Sequence, residues 1–141
     1  MGIEKVREFI KRNKYFLITS HVNLEGDALG AELAFSRLVK KLGKHAVILN
    51  EDRVPACFSF LPRSSSISRW DRKSRYAKFD CLVVLDCSDL KRTGEVYHLN
   101  IDKKPVLNID HHIDNSSFGD VNWIDPTSSS CSEMEIGRAH V

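Results

Sequence analysis

Three short apolar runs each break off into acids and imidazoles, and this constrains the chain more than any other feature. Phe16-Leu17-Ile18-Thr19-Ser20 leads into His21, Glu25 and Asp27. Cys81-Leu82-Val83-Val84-Leu85 leads into Asp86 and Asp89. Pro105-Val106-Leu107-Asn108-Ile109 leads into Asp110-His111-His112. Continuous apolar runs of this length suit strands buried on both faces, as in a parallel sheet. Open α/β sheets bind ligands beyond the carboxyl ends of their strands. The acids and histidines therefore gather where such a fold places its chemistry.

The stretches between the runs supply helices. Ile3, Val6, Phe9 and Ile10 recur at helical spacing, so a helix is expected over 3–13. Lys11-Arg12-Asn13-Lys14 closes it with positive charge, as the macrodipole favours. A second helix is expected over 28–42, with Leu29, Leu33, Leu38 and Leu42 among its apolar positions and Gly43 as its stop. His45 to Leu49 then reads as a strand, which completes a right-handed βαβ unit. Residues 51–78 are less regular: an apolar piece, 54–61, is bracketed by Pro55 and Pro62, and 63–78 reads as a basic loop with a short strand near Ile67. Residues 90–99 suit a loop or short helix, 121–124 a further short strand, and Asp125-Pro126-Thr127-Ser128 a turn and helix cap. The expected fold is α/β: a three-layer domain with a mainly parallel sheet of about five strands flanked by helices.

Composition narrows the class. The chain has 141 residues, 42% hydrophobic and 28% charged, with a net charge of +2. That is ordinary for a single soluble domain and too weak a charge to imply nucleic acid by itself. No apolar run approaches the roughly 18 residues needed to span a bilayer. The charged, amphipathic start is not a signal peptide, so a cytoplasmic location with no membrane partner is expected. Cys57, Cys81, Cys87 and Cys131 lack Cys-x-x-Cys spacing and read as reduced, packed thiols. The last seven residues, Glu135-Ile136-Gly137-Arg138-Ala139-His140-Val141, resemble a common sequencing adapter read in frame. They are expected to be a non-native tail, with the natural domain covering 1–134.

His21, Glu25 and Asp27 can converge in a turn around Gly26. Histidine with carboxylates and no thiolate suits Mn²⁺, Zn²⁺ or Fe²⁺ rather than a structural zinc. The chain lacks the Lys-Ser/Thr of a P-loop and any Gly-x-Gly-x-x-Gly, although the start of helix 28–42 could favour a phosphate. Asp86 follows four consecutive apolar residues, where an acid is expensive to bury unless paired or metal-bound; Asp89 reads as solvated or a cap. Successive strand residues point to opposite faces, so one of His111 and His112 should ligate while the other faces substrate or supports the site. The basic residues of 63–78, with Trp70 and Tyr76, read as a solvated connector ahead of a nucleic-acid track. Ser128-Ser129-Ser130 suggests hydroxyls near phosphate at a helix start, or a plain cap.

These motifs resemble the DHH phosphoesterase superfamily, and most nearly its bacterial oligoribonuclease and phosphoadenosine-phosphate phosphatase group, relatives of RecJ-type exonucleases. The first motif stands as His21-Val22-Asn23-Leu24-Glu25-Gly26-Asp27-Ala28-Leu29-Gly30-Ala31. The second is Val84-Leu85-Asp86-Cys87-Ser88-Asp89, with Arg92 and Gly94 following. The third is Asn108-Ile109-Asp110-His111-His112, with Asn115 after it, and Asn122-Trp123-Ile124-Asp125-Pro126, the serines and Glu133 continue the likeness. The resemblance implies an N-terminal DHH domain with two Mn²⁺ ions, or Mg²⁺ or another divalent cation. His21 and Glu25 would hold one, Asp27 and His111 the other, and Asp86 would bridge them. His112 would face the phosphate, Asp110 would support the site, and Asn115, Ser128 and Ser129 would contact substrate. Asp86, Asp110 and His112 would form the catalytic set for in-line hydrolysis of short RNA or nucleotide phosphates.

Glu25 stands where the family usually has Asp, and Leu24 where it has Pro. The resemblance also implies a further Asp ligand and a C-terminal substrate-binding domain. The chain is expected to lack both, and therefore to be weak or inactive alone; a homodimer is compatible with the full-length protein. The competing expectations are a cyclic-dinucleotide phosphodiesterase, a family II pyrophosphatase, and a non-catalytic nucleotide-binding module.

Overall fold

The computed structural model describes residues 2–134, so the expected tail at 135–141 lies outside the described residues. Two long α-helices, α1 (Gly2–Arg12) and α2 (Gly26–Lys41), and a helical turn at 131–134 accompany six strands. The strands are β1 (Tyr15–Thr19), β2 (His45–Asn50), β3 (Ile67–Arg69), β4 (Cys81–Leu85), β5 (Val106–Asp110) and β6 (Val121–Ile124). They form one sheet in the order β3-β2-β1-β4-β5-β6, and every neighbouring pair is parallel. The expected count was about five. The short strands expected near Ile67 and over 121–124 both form, as the edges β3 and β6, which brings the sheet to six.

The chain builds outward from β1 to β3, then returns and builds outward from β4 to β6. The order therefore reverses between β1 and β4. In open α/β sheets the crevice at such a switch point is where ligands bind. His21 follows β1 and Asp86 follows β4, so the topology alone brings them together.

Alternation along the strands divides the core into two. Phe16, Ile18, Ile48, Val83, Leu107 and Ile109 pack with Val6, Phe9 and Ile10 of α1 and Phe35 and Val39 of α2. Leu17, Leu49, Leu82, Val84 and Val106 face the other way, against Phe79, Val96, Trp70 and Leu99. Both α-helices thus lie on one face. The other face is covered by 3-10 segments, chiefly Arg72–Tyr76 and Leu90–Leu99, rather than by a second helical layer. The latter is broken at Gly94, where φ is 68° and a Cβ would meet the Glu51 side chain.

Helix ends follow the charges and glycines. The Lys44 ammonium donates to the carbonyls of Ile10 and Asn13 at the end of α1. Gly43 takes φ 77° just past α2, as the stop signal implied. The start of α2 differs from expectation, at residue 26 rather than 28, and Gly26 is helical rather than the pivot of a turn. The positive φ lies at Asn23 (60°), while Gly26 is needed because a Cβ there would approach the Phe58 ring to 3.3 Å. Among the described residues no helix is long and apolar enough to cross a membrane. All four cysteines are free, and three are buried.

Candidate metal centre

Each strand end at the switch point contributes one ligating group or more. Asp86 is the centre of the arrangement. It sits just past β4 with a left-handed φ of 54°, its amide donating to Ile109 O at 3.0 Å, and it is only 3% exposed. Three imidazoles surround it. His21 Nε2 is 3.6 Å from Asp86 Oδ2, and His111 Nε2 is 3.3 Å from Asp86 Oδ1. His112 Nδ1 is 3.9 Å from the same Oδ1. Despite these neighbours, Asp86 Oδ1 is buried without a hydrogen-bond partner. A buried, unsatisfied carboxylate oxygen is costly, and it is the state expected of a group that awaits a cation.

His21 is oriented by its own backbone. Nδ1 donates to Val22 O, which leaves Nε2 toward Asp86. The hydrogen bond to Asp86 raises the His21 pKa above 6.5, burial opposes this, and the Val22 carbonyl adds to it.

Asp27, on the first turn of α2, lies with Oδ2 3.3 Å from His111 Nε2. Both its oxygens also accept backbone N–H groups from the start of the final helical turn, Cys131 N at 2.9 Å and Ser132 N at 2.7 Å. Burial would raise its pKa, but these amides, the Ser132 hydroxyl and nearby His111 outweigh it, so the net shift is downward from 3.8. The cap on the helix starting at residue 131 is thus shared by Asp27 and Ser130, whose Oγ accepts Glu133 N at 3.0 Å. Ser128, the expected cap region, instead donates to Asp125 Oδ2 in the preceding turn.

Strand alternation does not separate His111 from His112, because β5 ends at Asp110. Both follow in the loop, with ring centroids 4.6 Å apart. Asp110 is completely buried and fully used: Oδ1 accepts His111 N at 2.8 Å and His112 Nδ1 at 2.6 Å, and Oδ2 accepts Asn115 Nδ2 at 2.7 Å. With Nδ1 engaged, His112 keeps Nε2 free. Ligand atoms of Asp86, Asp110, His111 and His112 all lie within 4.8 Å of one another, a grouping able to hold a metal ion.

Below this layer lies a buried polar network. Glu32 of α2 is completely buried; its Oε2 accepts Asn50 Nδ2 at 2.8 Å, and its Oε1 has no hydrogen-bond partner. Asn50 Oδ1 accepts Ser20 N at 3.1 Å, and Ser20 Oγ donates to Leu85 O at 2.6 Å. Helix α2 and the ends of β1, β2 and β4 are thereby tied together immediately beneath His21 and Asp86.

A cavity of about 390 Å³ opens over the cluster, lined by His21, Glu25, Asp27, Asp86, Arg92, His111, His112, Ser129 and Ser130. Glu25 is exposed, and its carboxylate makes no hydrogen bond or ion pair to a described residue. Of the other sequence candidates, Asp110 and Asn115 lie behind the wall, and Ser128 is off it. Asn115 bonds to Asp110 and Asn108 Oδ1 rather than facing the cavity. Ser130, expected with Ser128 and Ser129 as a hydroxyl near phosphate, lines the cavity, and so does Arg92, which had no site role assigned. Arg92 was legible only as part of the second motif; Val22 N donates to its carbonyl at 2.7 Å, which fixes the segment against the first motif. Asp89 caps the 3-10 segment, accepting Lys91 N at 2.9 Å.

The sequence pattern of the DHH family, N-terminal domain, matches residues 15–138. The chain belongs to the DHH family. Its domain is 32% identical over 117 residues to the bifunctional oligoribonuclease and PAP phosphatase NrnA of Thermus thermophilus, covering 83% of this chain and 34% of that one. An uncharacterised Mycoplasma pneumoniae protein is 28% identical over 134 residues, covering 94% and 40%. The fold matches the crystal structure of an exopolyphosphatase-related protein from Bacteroides fragilis with a TM-score of 0.86 at 26% identity, covering 95% of this chain and 41% of that one. The chain thus spans between a third and two fifths of the length of these relatives.

Proposed function

We propose that this DHH domain is the metal-binding part of a hydrolase that cleaves phosphoesters of short oligoribonucleotides or nucleotides. The carrying observation is Asp86 Oδ1, buried without a hydrogen-bond partner beside His111 and His112. The mixed imidazole and carboxylate donors suit Mn²⁺ better than Mg²⁺, which prefers oxygen ligands alone. His21, Glu25, Asp27, Asp86 and His111 would hold such ions. When bound, such ions would supply Lewis-acid stabilisation of the charge that develops on the phosphoryl oxygens.

The chain's own residues have separable tasks. Arg92 offers a fixed positive charge at the cavity wall for a phosphate oxygen. Asp110 holds the His112 ring by Nδ1, so Nε2 can donate to, or accept from, a substrate oxygen. Asn115 locks Asp110 in turn. Ser129 and Ser130 add hydroxyls to the same wall. Glu25 is compatible with this reading because its carboxylate is uncommitted and reaches the cavity; the extra methylene relative to Asp does not remove it from the site.

The test is Mn²⁺-dependent release of AMP from the dinucleotide pApA, run on this chain and on any longer product of its gene. Activity that vanishes in Asp86→Asn supports the proposal. Bound Mn²⁺ with no release from pApA, and release from polyphosphate instead, would move the substrate to phosphoanhydrides. Absence of Mn²⁺ binding, read by isothermal titration, would overturn the metal reading itself.

A further inference from the structure

Residues 63–78 concentrate positive charge out of proportion to the rest of the chain. Arg63, Arg69, Arg72, Lys73, Arg75 and Lys78 stand against the single acid Asp71, in a chain whose net charge is only +2. All six cations are exposed, and none forms an ion pair with a described residue. Asp71 keeps its negative charge and also lines the adjoining hollow, its Oδ1 accepting Lys73 N, Ser74 N and the Ser74 hydroxyl, so six cations against one acid leave the segment at +5.

The charge surrounds an apolar hollow. A cavity of about 330 Å³ lies over β2 and β3, with Val47 and Leu49 at its floor and Ser68, Arg69, Lys73 and Tyr76 among its walls. Tyr76 is 79% exposed and Val47 46% exposed. The Arg75 guanidinium lies 5.9 Å from the Tyr76 ring centroid, within the outer reach of a cation–π contact. An exposed aromatic among unpaired cations, beside an apolar floor, has the composition that binds single strands: the ring stacks a base and the cations follow the phosphates.

One wall of the hollow, Arg69, has a defined relation to the metal centre. Arg69 pairs in register with Asn50, and its Nε donates to Glu51 O at 3.3 Å. Asn50 in turn accepts Ser20 N beneath His21. Arg69 therefore leaves the sheet at the same carboxyl edge as His21 and Asp86. Three strand spacings separate β3 from β4, a lateral offset of roughly 15 Å. A short oligonucleotide covers that distance; a mononucleotide does not.

We propose that the face formed by Arg69, Lys73, Arg75 and Tyr76 binds the single-stranded continuation of a nucleic-acid substrate whose end occupies the metal centre. This rests on the phosphoester reading above and extends it to substrates longer than a dinucleotide. The fixed cations draw the strand in, and the tyrosine ring selects unpaired bases.

Fluorescence anisotropy with the 141-residue chain tests it, using a labelled single-stranded oligoribonucleotide of about 12 nucleotides and a labelled dinucleotide. The substitutions Arg69→Ala with Lys73→Ala, and Tyr76→Ala alone, fall on exposed side chains. The longer strand is expected to bind tighter than the dinucleotide. Tyr76→Ala should weaken the longer strand about tenfold. The double substitution should lower the slope of log affinity against log salt by about 1.4, as two lost phosphate contacts require. Neither change should alter dinucleotide binding. Equal affinity for the two lengths, or an unchanged salt slope, would overturn the proposal. So would equally tight binding of polyglutamate, which would mark a surface for acidic protein. Asp86→Asn separates the two readings: it removes hydrolysis if the metal centre is catalytic, while the drop in salt slope caused by Arg69→Ala with Lys73→Ala should be the same in the Asp86→Asn background.

Discussion

Glu32→Gln should change the stability of the protein by an amount, and with a sign, that depend on pH, costing stability in mild acid and restoring it toward pH 8. Burial drives the Glu32 pKa up, the Asn50 hydrogen bond opposes this, and the charge of Asp86 adds to it, so the carboxyl is pushed up from 4.5 to about 8. In the unfolded chain the group ionises near 4.5; in the native state it keeps its proton to about 8. Between those values the native state binds a proton that the unfolded state has released, so stability falls as pH rises. At 1.36 kcal/mol per unit, this penalty is about 3 kcal/mol at pH 7 and levels off near 5 kcal/mol above pH 8. Glutamine keeps an oxygen to accept Asn50 Nδ2 but cannot ionise. Its amide hydrogens would meet the place where Oε1 has no partner, a cost of about 1–3 kcal/mol at every pH. The diagnostic quantity is therefore the slope. Urea unfolding in EDTA should give a wild-type stability that drops by several kcal/mol relative to Glu32→Gln between about pH 5 and pH 8. Parallel curves for the two proteins over that range would refute the reasoning.

Two further outcomes follow from the shifted groups at the site. His21 must lose its proton to ligate, and its pKa is raised from 6.5, so Mn²⁺ affinity measured by titration calorimetry should fall with acidification through that elevated pKa. In the metal-free protein the sign is opposite: the His21–Asp86 pair contributes stability that is complete below 6.5 and is lost as pH rises through the elevated pKa. Asp27→Ala removes the acceptor for Cys131 N and Ser132 N and should lower stability by about 1–2 kcal/mol, the range of a lost helix cap. The Asp27 contribution is present above 3.8 and fades as pH falls through its lowered pKa, so wild type and variant should converge in strong acid.

The parts that were legible in the sequence are those written in continuous apolar runs. Strands β1, β4 and β5 are each buried nearly throughout and carry no polar interruption that could hide them, apart from the Asn108 that anchors the loop after β4. Their terminal acids and imidazoles were legible for the same reason. The layer covering the second face was not, because 3-10 segments have no long period, and Arg72–Tyr76 is specified only by the short capping box of Asp71 and Ser74. The roles of Gly26 and Gly30 were hidden as well. Both depend on groups far along the chain: the Phe58 ring for Gly26, and Ser132 Oγ, 2.8 Å from where a Gly30 Cβ would lie. Local turn preferences carry no information about such approaches.

Asp27 shows why sequence could rank the site residues but not divide their labour. Spacing from His21 and Glu25 marks it as a ligand. Only the fold brings residues 131 and 132 onto the same carboxylate, more than a hundred residues away. A cation that draws charge from Asp27 weakens those acceptor bonds, and a displaced helix start removes a restraint on the carboxylate facing His111. Metal affinity and the anchoring of the final helix are thus linked through one side chain, and the linkage is reciprocal. Mn²⁺ binding to the Asp27→Ala variant should consequently be weaker and also less sensitive to substitutions at Ser132 than in the wild type. Equal sensitivity in both would show that the two roles of Asp27 are independent.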